Sequence, residues 1–126
     1  MEEVRNKMEN ILDSIKKLLG IPPEYMIFDA DLIMHINTVF VILNQLNIGP
    51  PECFFLKDGS ECWDDFMTSV DEGMIRTFIY LKVRLMFDPP ASSALIESIN
   101  AMLAELEWRL YVVGDEKHME GGDEGE

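Results

Sequence analysis

The sequence predicts a mainly α fold: a small bundle of four main helices with a short β-hairpin inserted between helices two and three. Three observations carry this. Apolar residues recur at helical spacing over four long segments. The segments are cut apart by Gly20 with Pro22-Pro23, by Gly49-Pro50-Pro51 and by Asp88-Pro89-Pro90. Asp58-Gly59, a strong hairpin signal, is flanked by Phe54-Phe55-Leu56 and Glu61-Cys62-Trp63. With 126 residues, 48% of them hydrophobic, the chain suits one domain with a sizeable core. Residues 1–113 read as that helical domain and 114–126 as an acidic, flexible tail.

The first helix spans residues 3–19, where Val4, Met8, Ile11, Leu12, Ile15, Leu18 and Leu19 fall on one side. Gly20 is placed as its C′ residue, and Lys16 and Lys17 lie in the last turn, where the helix dipole favours cations. For the second helix, Phe28, Asp29 and Ile33 fit a hydrophobic staple around an N-cap at Asp29. It runs to about Leu46, and its apolar residues cover more than one face, so it is either central or packed against a neighbouring subunit. His35 and Asn44 on it read as satisfied polar groups at a helix rim.

A hairpin centred on Asp58-Gly59 would pair Lys57 with Ser60, Phe55 with Cys62 and Phe54 with Trp63. That register leaves Cys53 only diagonal to Cys62 and favours two thiols over a disulfide. Residues 63–67 make a short helical turn, and Ser69 with Glu72 forms a capping box for the third helix. Met74, Ile75, Phe78, Ile79, Leu81, Leu85 and Met86 make its core face, with Arg76, Tyr80, Lys82, Val83, Arg84 and Phe87 around the other side. Two prolines push Asp88 out of helical geometry and turn the chain. The fourth helix starts near Ser92 or Ser93 and packs Leu95, Ile96, Ile99, Met102, Leu103, Leu106 and Leu110, with Glu105 and Arg109 as an i, i+4 pair. Trp108, Tyr111, Val112 and Val113 give its end apolar groups beyond that stripe.

The net charge of −14 repels phosphate and argues against a sequence-reading nucleic-acid binder. The acidic opening Met1-Glu2-Glu3 is unlike a leader peptide, no apolar run approaches a bilayer span, and a cytosolic protein with reduced thiols is expected. Two cysteines and two histidines at scattered positions do not match a zinc site. No phosphate loop, nucleophile with a neighbouring His, or carboxylate pair stands out, so neither catalysis nor a cofactor or metal is expected.

Five segments carry a family likeness: Ile11-Leu12-Asp13-Ser14-Ile15-Lys16-Lys17-Leu18-Leu19-Gly20, Asp31-Leu32-Ile33-Met34-His35-Ile36-Asn37, Trp63-Asp64-Asp65-Phe66, residues 80–90 from Tyr80 to Pro90, and Glu105-Leu106-Glu107-Trp108-Arg109-Leu110. In that order they resemble the small head-tail connector, or adaptor, proteins of long-tailed phages and prophages. The resemblance implies a helical subunit in a homo-oligomeric ring, twelve per ring. That ring would dock on the portal protein above and on a head-closure (stopper) or tail-completion protein below. It would sit in the virion neck after assembly in the host cytoplasm, and let DNA pass without sequence-specific binding.

Identical subunits joined head to tail need two different complementary patches. Met34 and Val41 on the second helix, with Lys82, Arg84 and Phe87 on the third, are the expected subunit contacts. Trp108, Tyr111, Val112 and Val113 are the expected portal-docking residues. Two other classes compete: an acidic phage-encoded inhibitor that mimics DNA, and a small helical regulatory protein.

Overall fold

The computed structural model describes residues 9–66 and 72–124, with side chains described as far as Glu116. Among these residues five helices follow one another: α1 Ile11–Leu19, α2 Asp29–Gln45, the single turn α3 Trp63–Phe66, α4 Glu72–Phe87 and α5 Ser93–Glu124. Val4, Met8, Met67 and the proposed cap at Ser69 lie outside the described residues. The central position belongs to α4, which packs on α1, α2 and α5, whereas α2 packs on α4 and α1. The central place that the second helix was one candidate for is thus taken by α4.

The start of α1 is set by Asn10, whose side chain accepts from the Asp13 N–H at 3.0 Å and donates to the Gly59 carbonyl. Its end is set by Gly20, at φ 83°. The Gly20 and Ile21 N–H groups return to the Lys17 and Lys16 carbonyls at 3.1 and 2.8 Å, closing a Schellman turn that an L side chain would strain. α2 closes the same way but with Asn47, at φ 64°, in the left-handed position. There Asn47 N–H meets the Asn44 carbonyl at 3.0 Å and Ile48 N–H the Leu43 carbonyl at 2.9 Å, so the helix stops before Gly49-Pro50-Pro51.

Asp29 does not cap α2. It is the first helical residue, preceded by Phe28 with no side-chain cap. Its carboxylate is taken by Lys16, whose Nζ, fully buried, donates to Asp29 Oδ1 and to the Pro23 carbonyl, both at 2.8 Å. A buried ammonium needs that partner more than a helix start needs its cap.

The expected hairpin is not formed. Only an isolated antiparallel bridge joins Asn10 to Cys62, with Ile11 N–H on the Glu61 carbonyl and Trp63 N–H on the Glu9 carbonyl. The other flank of the turn is claimed by α2. Asn37 Oδ1 accepts from Leu56 N–H at 2.7 Å and Asn37 Nδ2 donates to the Leu56 carbonyl at 3.0 Å, so one amide side chain stands in for a paired strand. Glu61 takes the Lys57 and Gly59 N–H groups. With both flanks bonded elsewhere, the Asp58-Gly59 register has nothing left to pair. The aromatic residues still pack inward: Phe40, Phe54 and Phe66 form a triangle with ring centroids 4.8 to 5.5 Å apart.

Two assignments on α4 change. Val83 is fully buried and Met86 is 40% exposed, the reverse of the expected sides, because a helix with three packed neighbours has no single outer face. Leu18 on α1 and Leu95 and Met102 on α5, expected in the core, are about half exposed at 51%, 48% and 49%. Ser92 caps α5, its Oγ accepting from Leu95 N–H at 3.3 Å. The helix then continues through Gly114 rather than ending near Val113. Gly114 is buried against the end of α2, where a Cβ would overlap the Leu46 carbonyl oxygen, so glycine here permits a close crossing of helix and chain.

Candidate assembly surfaces

The polar groups most drawn together are used up in holding the fold. Arg76, expected on an outer side, points toward α1. Its guanidinium bonds Glu9 at 2.9 and 3.0 Å and Glu72 at 2.7 Å, and lies 4.6 Å from the centre of the Trp63 ring. Trp63 Nε1 in turn donates to Ser14 Oγ at 2.9 Å. Partial burial works to raise the Glu9 pKa, but hydrogen bonds from Arg76 and Ser14 outweigh it and hold that carboxyl below its ordinary value. Burial, then the carboxylates of Asp65, Asp64 and Glu61, push the Cys62 thiol up, which makes it a poor nucleophile.

What remains on the surface is apolar area. On α2, Met34 and Val41 are 60% and 40% exposed, stand two turns apart on one side, and line one shallow groove with Ala30, Thr38 and Phe55. Sequence reasoning named the first two as exposed and passed over Phe55, because the hairpin register gave that ring a cross-strand partner. The loop between α1 and α2 carries Tyr25, Met26 and Ile27, all exposed, which no helical periodicity could single out.

The three expected contacts on α4 are placed differently from Met34 and Val41. Phe87 is partly buried, its ring edge-on to Phe28 at 5.1 Å and to His35 at 6.4 Å, so it joins the α4 corner to the start of α2. Lys82 lies 5.7 Å over the Phe78 ring, and Arg84 reaches the Tyr80 hydroxyl at 3.3 Å and the Asp88 carbonyl at 3.4 Å. Among the described residues, neither cation is paired with a carboxylate.

The C-terminal helix has two apolar sides. One is the core stripe with Ile99, Leu103 and Leu110, to which Val113 also belongs, partly buried against the core. At 3.6 residues per turn, Trp108 stands about 180° around the helix from Ile99. It is 64% exposed and stacks on Tyr111 with ring centroids 5.7 Å apart. Ala94, Glu97, Ala101, Ala104, Trp108 and Tyr111 follow one another in alternating steps of three and four, and all are exposed. That spacing is a heptad's with Glu97 as its charged member, and in the sequence the small alanines conceal it.

A family model described as "Phage connector protein" matches residues 11–117, a span that takes in all of α1 to α4 and α5 to just beyond Gly114. The chain belongs to the phage head-tail connector family. No curated protein matches it, and no solved structure does. The connector's role is accordingly a structural one of the phage connector type. Among the described residues, no helix of the connector is long and apolar enough to cross a membrane.

Proposed function

We propose that this connector forms a ring beneath the portal, joins capsid to tail, and lets DNA pass through its centre. The observation that carries this is the family match over residues 11–117, spanning the whole helical core. The surface chemistry supports it. A chain with net charge −14 offers passing DNA few cationic traps, and subunits of one kind can close head to tail only through two unlike patches. The α2 groove and the outward side of α5 are two such patches. Lys82 and Arg84, which have no carboxylate partner among the described residues, are available to acids of a neighbouring subunit, and a head-closure or tail-completion protein would take the opposite side of the ring.

The test is negative-stain microscopy of the purified chain with its portal protein. A ring added to one end of the portal is expected; portal particles unchanged at saturating connector contradict the proposal. Truncation after Glu107 is not a suitable control for portal docking, because it removes Leu110, fully buried, and Gly114 at the α2 crossing. Substitutions at exposed positions are the sounder tool.

A further inference from the structure

The loop between α1 and α2, residues 20–28, combines an exposed apolar tip with a closely tied backbone. Tyr25, Met26 and Ile27 all face solvent, Ile27 at 72%. Tyr25 N–H donates to the Pro22 carbonyl at 3.1 Å and Asp29 N–H to the Met26 carbonyl at 3.2 Å, so one turn leads into the tip and another leads out. Phe28 packs edge-on to Tyr25 at 5.7 Å and to Phe87 at 5.1 Å, which ties the loop to the α4 corner. Apolar side chains gain by turning inward, so a tip that stays out needs a base that holds it there.

That base is Lys16. Its fully buried Nζ receives both flanks of the tip at one atom: the Pro23 carbonyl from one side and Asp29 Oδ1 from the other, each at 2.8 Å. Residues 24–28 are closed into a loop by a side chain of α1. A buried ammonium is a poor source of stability, because its desolvation offsets most of what the ion pair returns. What it supplies is direction. A methionine of similar length fills the same space without choosing partners, whereas ammonium N–H groups demand acceptors at fixed distance. The helices have other anchors: Ile11, Leu12 and Ile15 hold α1 in the core, and Leu32, Ile36 and Val39 hold α2.

We propose that Lys16 is a latch that fixes the shape of the α1–α2 loop and holds Tyr25, Met26 and Ile27 outward in one conformation. It is a positioning residue, acting on the tip through Pro23 and Asp29. The device belongs to the single subunit and stands apart from the ring reading. Its consequence is that loop shape and fold stability come apart.

The test is backbone nitrogen relaxation and amide exchange on the full-length protein, as wild type, Lys16→Met and Asp29→Asn. In wild type the amides of Glu24 to Ile27 have order parameters near those of a packed helix, about 0.85. Lys16→Met lowers them below about 0.6 and speeds exchange of the Asp29 N–H roughly tenfold or more. Asp29→Asn gives the reverse. Its amide oxygen still accepts from Nζ, so the tip stays ordered, but the ammonium has lost its counter-charge, and exchange at the buried Ile36 and Ile79 quickens more than in Lys16→Met. A wild-type tip already below about 0.6, or a Lys16→Met tip as ordered as wild type, would overturn the latch. So would loosening of the tip in Lys16→Met that only matches a general loss of protection at Ile36 and Ile79. Failure of Lys16→Met to fold also refutes it, since the latch assigns the lysine to the loop and not to the fold.

Discussion

At the scale of single residues, the fold depends on polar side chains that replace missing backbone partners or screen buried charge. Lys16 and Asp29 are not equivalent members of their pair, because the lysine is fully buried and the aspartate is 27% exposed. Asp29→Ala leaves an ammonium in the core with only the Pro23 carbonyl, and a loss of about 3–5 kcal/mol is expected. Lys16→Met keeps the buried stem and leaves a carboxylate at a helix start, where it is favoured, so the expected loss is smaller. Urea denaturation of both variants checks this, and a larger loss for Lys16→Met would refute it. Asn37→Leu strands the Leu56 N–H and carbonyl, with an expected loss of about 1–3 kcal/mol and faster amide exchange at Leu56.

Glu9 supplies one acid-sensitive contribution. Its folded pKa lies below the ordinary 4.5, so its contribution is present above that value and is lost as pH falls through the lowered one. Against Glu9→Gln, wild type therefore keeps a constant advantage near neutrality that shrinks below about pH 4.5, and a difference that grows on acidification would contradict the assignment. None of these pairings was legible in the sequence. Lys16 looked like a dipole cation and Asp29 like a cap, since each satisfies a local rule, and the contact that overrides both rules joins residues thirteen apart through a proline loop.

At the scale of elements, helices were legible and the hairpin was not, for one physical reason. Helical stripes are local: Ile11, Leu12 and Ile15 on α1 or Ile99, Leu103 and Leu110 on α5 declare a face without reference to the rest of the chain. A hairpin needs its flanking backbone to be unclaimed, and Asn37, Glu9 and Ile11 had claimed it. α4 shows the complementary failure, since a helix packed on three sides buries Val83 as readily as Ile79. Gly114 sets two effects against each other. Alanine is the better helix former by about 1 kcal/mol, yet a Cβ there would strike the Leu46 backbone, which cannot rotate away as a side chain can. Overpacking wins, and Gly114→Ala is expected to lose about 1–3 kcal/mol in denaturant titration. A gain in stability would show that α5 does not cross α2 this closely.

At the scale of the whole molecule, the connector is a bundle built around α4, with apolar side chains left over on α2 and α5. Family membership gives the role, and these surplus faces are the physical means by which such a subunit could assemble. Charge and apolar area predict opposite salt dependence. Assembly driven through Lys82 and Arg84 weakens as salt is added, whereas association of chains carrying −14 through uncharged faces strengthens as their repulsion is screened. Sedimentation between low and moderate salt is expected to show the second behaviour, with reversal of both Lys82 and Arg84 changing ring stability but not abolishing contact. The most direct measurement of the central claim is the mass of the complex formed with the portal. Twelve copies of this chain on each portal ring is the result expected, and a portal that retains its own mass at saturating connector would contradict it.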